Sequence, residues 1–183
     1  RAEDRAALAE TLLDTAPTGL GAASLSSTGI VSFAPGDRAI IPAPENARDE
    51  LPEGAEGRCK ASKGPEPAPR CEFGPADAEQ VVALVGDSHA EQYLPALQQV
   101  ADQQGVRVIT YLRSSCPYTT AQPVSDVERD GVCVRSNEAT TRALLDDSSI
   151  DVVVTSNRTD VEFVTADGVA GPVEGFVEAW TGL

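Results

Sequence analysis

The stretch Val81-Val82-Ala83-Leu84-Val85-Gly86-Asp87-Ser88-His89-Ala90 decides how the chain is read. From Gln80 to Val85 it is almost entirely apolar, which suits a short β-strand buried on both faces. Gly86 and the polar residues after it then mark a tight turn into a helix. Between His89 and Gln104 the residues Tyr93, Leu94, Leu97, Val100 and Ala101 recur at helical spacing, and Gly105 stands where helices prefer to end.

The same alternation continues downstream. Val106 to Leu112 (VRVITYL) reads as a second strand, Val134 to Asp146 as a second helix, and Ile150 to Thr155 (IDVVVT) as a third strand. The order β-α-β-loop-α-β calls for parallel strands joined by right-handed crossovers, hence an α/β chain folded as a three-layer α/β/α sandwich of flavodoxin-like type. Three strands are few for such a sheet. Val173 to Trp180 opens a third amphipathic helix, so the reading expects further strands beyond it. The chain also starts at Arg1 and contains no methionine, which marks it as a processed product or a piece of a longer protein.

Upstream the pattern is different. Residues 3–14 carry Leu8, Leu12 and Leu13 among charges, a short amphipathic helix ended near Pro17. From Thr18 to about Glu79 periodicity disappears and most of the 13 prolines are found, so this segment reads as an irregular arm. The expected division is residues 1–77, helix and Pro-rich arm, and residues 78–183, the first portion of an α/β domain.

Composition narrows the functions. Fourteen Lys+Arg against 29 Asp+Glu give a net charge of −15, which repels a phosphate backbone and argues against nucleic-acid binding. Residues 121–183 contribute −8 of it, spread as a solvated face. One histidine, His89, and four cysteines without a Cys-x-x-Cys pair leave no expected metal site, and no cofactor motif is present. The longest aliphatic run, Val81 to Val85, is far below the roughly 20 residues of a membrane-spanning helix.

The cysteines are either reduced thiols or two disulfides. They form two local pairs, and each pair brackets a loop-like segment: Cys59 and Cys71 enclose KASKGPEPAPR, and Cys116 and Cys133 enclose PYTTAQPVSDVERDGV. Cys59–Cys71 and Cys116–Cys133 bridges are therefore expected, and with them an oxidising, extracytoplasmic compartment.

In an open parallel sheet, ligands bind beyond the carboxyl ends of the strands. Gly86-Asp87-Ser88-His89, Arg113-Ser114-Ser115-Cys116 and Ser156-Asn157-Arg158 follow the three strands and should converge on one crevice. Ser88 is the candidate nucleophile, its backbone N–H an oxyanion donor, Gly86 the residue permitting the turn and Asp87 the one fixing it. By itself Gly-Asp-Ser is equally what a helix N-cap requires, and it is not the Gly-x-Ser-x-Gly elbow of α/β-hydrolases, since Ala90 fills the last position.

Leu84-Val85-Gly86-Asp87-Ser88-His89-Ala90, followed by Leu94-Pro95-Ala96-Leu97 and Ser115-Cys116-Pro117, with Cys71-Glu72-Phe73-Gly74 as lead-in, resembles the SGNH-hydrolase-like domain fused behind the membrane acyltransferase-3 module of bacterial surface-polysaccharide O-acetyltransferases. The resemblance covers roughly residues 55–160. It implies a membrane module upstream in the same polypeptide, a glycan acceptor, an extracytoplasmic site tethered to the cell envelope, and transfer of an acyl group, commonly acetyl, through an acyl-enzyme on Ser88. The Asn157 side chain would be a second oxyanion donor. In the family the base is the His of an Asp-x-x-His near the domain's end, and this sequence has none. His89 is poorly placed to replace it, because adjacent residues of a helix diverge by about 100°; a supporting role suits it better. The second-block glycine of the wider superfamily is also absent, with Ser114 and Ser115 in its place. Arg158 either binds a carboxylate or sugar ring or is a solvated charge. The competing functions are a non-catalytic glycan-binding or scaffolding module on the same fold and a stand-alone secreted esterase.

Overall fold

The computed structural model describes residues 25–26, 29–30, 58–61, 67–127, 131–158, 160–165, 168–170 and 173–183. The chain divides into two compact units, Arg1–Leu51 and Pro52–Leu183. In the first, β1 (Leu25–Ser26) and β2 (Gly29–Ile30) pair antiparallel. The helix expected over 3–14 lies outside the described residues.

In the second unit, the apolar run forms β5 (Val81–Gly86), flanked by β6 (Arg107–Arg113) and β7 (Val152–Ser156), both parallel to it. Side chains alternate as period two requires. Val81, Ala83 and Val85 of β5, with Ile109 and Tyr111 of β6, face one side and pack on Leu144 of α4 (Val132–Asp146) and Ala179 of α5 (Val173–Thr181). Leu84, Val108 and Leu112 face the other and pack on Ala90 of α1 (Ser88–Glu91) and on Leu94 and Ala101 of α2 (Leu94–Gln104). The result is the expected three-layer α/β/α sandwich.

The helix read as continuous from His89 to Gln104 is two helices, interrupted at Gln92 and Tyr93. Pro95 is the cause: it has no N–H to give to the carbonyl of Glu91, and its ring collides with that carbonyl in a continuous helix. It is tolerated in the first turn of α2, where such donors go unused. Leu94 and Ala101 are buried as the spacing required, whereas Tyr93 and Val100 are exposed. Gly105 ends α2 in the left-handed conformation, φ 67°, with its N–H on the Ala101 carbonyl.

The segment before Gln80 also contributes to the sheet. β3 (Lys60–Ala61) pairs parallel with Leu112–Arg113, and β4 (Arg70–Phe73) pairs antiparallel with Val108–Tyr111. Cys59 is bonded to Cys71 and so ties β3 to β4 across the proline-rich loop, while Cys116 and Cys133 join the segment after β6 to the first turn of α4. Beyond β7, a hairpin of β8 (Phe163–Thr165) and β9 (Gly168–Ala170) is followed by α5, with Phe176 edge-on to Phe163. Among the described residues, no helix is long and apolar enough to cross a membrane.

Candidate active site

Parallel pairing aligns the carboxyl ends of three strands, because Gly86 is in register with Leu112 of β6 and with Ser156 of β7. Asp87-Ser88-His89, Arg113-Ser114-Ser115 and Asn157-Arg158 therefore follow directly from one edge of the sheet. Gly86 is required there. Its φ of +138° is one that residues with a side chain rarely adopt, and a Cβ would sit 3.1 Å from the Ala90 Cβ and 3.2 Å from the Ser156 carbonyl oxygen. Its absence lets α1 and β7 close around the turn.

Asp87 is the N-cap of α1. Its backbone is extended, its buried carboxylate accepts the His89 N–H at 2.8 Å, and its carbonyl accepts the Glu91 N–H at 3.0 Å. Ser88 is the first residue of α1 and half-buried. At that position a backbone N–H has no partner within the helix, so it is available to a ligand at the strand end. Asp87 thus serves the bland role of a cap and, by doing so, sets the orientation of the Ser88 backbone.

His89 lies beside the carboxylate that caps its helix. Its Nδ1 lies 3.4 Å from Asp87 Oδ1, in range for charge attraction but without hydrogen-bond geometry, and its side chain is 36% exposed. Asn157 is half-buried, and its Nδ2 donates to the Arg158 carbonyl at 3.0 Å, leaving one amide proton for another acceptor. Arg158 is exposed and forked onto Asp160, with Nε 2.7 Å from Oδ1 and a terminal nitrogen on Oδ2. That hydrogen bonding holds the Asp160 carboxyl below its ordinary pKa and raises the Arg158 guanidinium. Smaller contributions come from Asp87 acting on Arg158 and His89 acting on Asp160, so the charges after β5 and β7 act on one another.

After β6, Ser115 has φ 54°, a left-handed conformation more often given to glycine. It stands where the sequence lacks the second-block glycine, and the backbone there turns as a glycine would. Arg113 is buried.

Sequence reasoning missed a charged pair beside the turn. Lys60 of β3 reaches across to Glu91 of α1, Nζ to Oε2 2.5 Å, with Glu91 buried and its Oε1 without a partner. The spacing of Glu91, three residues after Ser88 on one helix face, was a usable signal; nothing local to Lys60 announced it. Thr155, next to the last residue of β7, places a buried, unpartnered Oγ1 3.5 Å from the Gly86 Cβ position. Among the described residues, no group of three or more His, Cys, Asp or Glu is arranged to hold a metal ion.

A mostly parallel α/β sheet that carries Gly-Asp-Ser at the turn after its central strand defines a class of hydrolase- and acyltransferase-like domains. Within it, this chain belongs to the family described as the SGNH domain fused to AT3 domains, whose model matches residues 58–175. Comparisons with curated proteins and with solved structures return no match.

Proposed function

We propose that the chain is the extracytoplasmic SGNH domain of a membrane-bound O-acyltransferase that passes an acyl group, in the first instance acetyl, to a hydroxyl of a cell-surface glycan. The observation that carries the reading is the position of Ser88, held by Gly86 and Asp87 at the carboxyl end of the central parallel strand. In the reaction, Ser88 Oγ attacks the acyl carbonyl and gives its proton to a base. The Ser88 N–H and the free amide proton of Asn157 hold the resulting oxyanion. Collapse expels the donor's leaving group, and a glycan hydroxyl then attacks the acyl-serine, restoring the Ser88 hydroxyl. No cofactor enters these steps.

In this reading the base is not His89, whose Nδ1 lies 3.4 Å from Asp87 Oδ1, but the histidine of the family's Asp-x-x-His, which these residues do not contain. The donor is an upstream membrane acyltransferase module in the same polypeptide, joined through the arm of residues 1–77; the family description, an SGNH domain fused to AT3 domains, supports that partner. Two disulfides support an oxidising compartment.

A fluorophosphonate probe tests the reading. The chain of 183 residues should label slowly or not at all, and a longer polypeptide carrying a downstream Asp-x-x-His should label at Ser88 and lose labelling in Ser88→Ala. Equal labelling of the two would overturn the external base. The single histidine of the sequence suits a non-catalytic glycan-binding module equally well, and the absence of any Ser88 labelling in the longer polypeptide would select that function instead.

A further inference from the structure

Lys60 stands level with the Ser88 turn although it is two strands away. Lys60 and Gly86 pair with the same residue of β6, Leu112, which belongs to the core under α1 and α2. Residues in register on parallel strands turn their side chains to one face of the sheet. The lysine is therefore on the α1 side, at the carboxyl edge, and its Nζ meets Glu91 Oε2 at 2.5 Å. Its short strand is fastened on both sides of it: Cys59 is bonded to Cys71 of β4, and the Ala61 carbonyl accepts the Ser114 N–H at 2.9 Å.

What the pair holds is a single helical turn. α1 has four residues, and Pro95 keeps it from running on into α2. One turn of helix has little stability of its own, so its direction is set by what it touches. Asp87 fastens its start by accepting the His89 N–H, Ala90 is buried in the core, and Glu91, its last residue, is held by Lys60. Ser88 and Glu91 are three residues apart on one face of that turn, so a displacement at Glu91 carries the Ser88 backbone with it.

The energetics favour orientation over net stability. Glu91 is 8% exposed, and its Oε1 has no hydrogen-bond partner among the described residues. A buried ion pair adds little net stability, yet a buried carboxylate stripped of its counter-charge is costly. Without Lys60 the Glu91 carboxylate must reach water, and α1 must turn to let it.

We propose that Lys60 is a positioning residue for Ser88: through Glu91 it fixes the direction of α1 at the sheet edge, and with it the Oγ and the N–H that acyl transfer uses. The proposal rests on the reading of Ser88 as nucleophile, and one arm of its test does not. In the ¹⁵N-labelled chain, Lys60→Met and Glu91→Met should each change the residual dipolar couplings of the Ser88 and His89 N–H bonds, which report bond direction. The couplings of Thr140 and Leu144 in α4 should stay as they are and show an intact fold; should one variant fail to fold, the other still reads the contact. The double variant should change the couplings no further than either single one, because both act through one contact. In the longer polypeptide, Lys60→Met should slow fluorophosphonate labelling of Ser88 about tenfold at saturating probe with the half-saturating concentration unchanged, the signature of a misplaced nucleophile. Unchanged Ser88 couplings in the single variants, additive changes in the double variant, or labelling at the natural rate would overturn the proposal. A longer natural polypeptide that never labels would refute Ser88 as nucleophile instead, and the couplings would still decide whether Lys60 orients α1.

Discussion

At the scale of single residues, the turn after β5 depends on one missing side chain. Gly86→Ala places a Cβ between Ala90 and the Ser156 carbonyl at a φ that alanine avoids. We expect a loss of about 1–3 kcal/mol in urea unfolding; an unchanged midpoint would mean that the turn relaxes freely. The rim is sensitive to charge instead. Asp160 is held below its ordinary 3.8 chiefly by its hydrogen bond to Arg158. A depressed carboxyl keeps its favourable pairing above the ordinary value and loses it only as pH falls through the lowered one. Carbon-detected NMR should therefore place the Asp160 midpoint below 3.8, and Arg158→Gln should return it upward. Gly86, Asp87 and Ser88 were legible in the sequence because a turn's requirements are local. Arg158 was not: whether an arginine binds substrate or a neighbour depends on where Asp160 lies, and the structure gives its fork to Asp160.

At the scale of elements, α4 is started by a residue that precedes it in another helix. Asp126, buried in α3 (Val124–Val127), accepts the Cys133 N–H with both carboxylate oxygens at 2.9 Å, while its carbonyl accepts the Gly131 N–H. Gly131, the N-cap by position, has no side chain to do this. Asp126→Ala should cost about 1–3 kcal/mol, the penalty of a buried donor left unpaired, and Asp126→Asn less, measured by chemical denaturation. Periodicity located α2, α4 and α5, and in α2 the buried Leu94 and Ala101, but not the face that α5 buries. α5 turns the small residues Gly175 and Ala179 inward and leaves Val173, Val177 and Trp180 exposed. The reason is close approach: a Cβ on Gly175 would lie 2.6 Å from the Ala121 Cβ and 2.9 Å from the Ala121 nitrogen.

At the scale of the whole molecule, two disulfides fasten irregular segments to a small sheet. They close separations of 12 and 17 residues, for which the chain-entropy model gives about 3 kcal/mol each. Replacing Cys116 and Cys133 together by serine should lower the unfolding free energy by about that amount, and a reductant, which opens both bridges, should cost the natural chain more than that; stability indifferent to reductant would deny both bridges a role. Alternation of apolar runs and helical periods was enough to expect β5, β6 and β7 to run parallel with a helical layer on each side, because burial on two faces and the twist of strands leave few alternatives; the spatial order, with β5 between β6 and β7, came from the structure. Local cysteine pairing, with a loop-like segment inside each pair, pointed to both bridges, and the structure forms them. Strands β3 and β4 were decided only in three dimensions. Arg70-Cys71-Glu72-Phe73 has too little apolar character to be read as a strand, and it becomes one because the open edge of β6 offers it backbone partners. The Lys60–Glu91 pair has the same origin: its two groups lie 31 residues apart in the chain, and no local pattern encodes which distant residue folding will bring alongside.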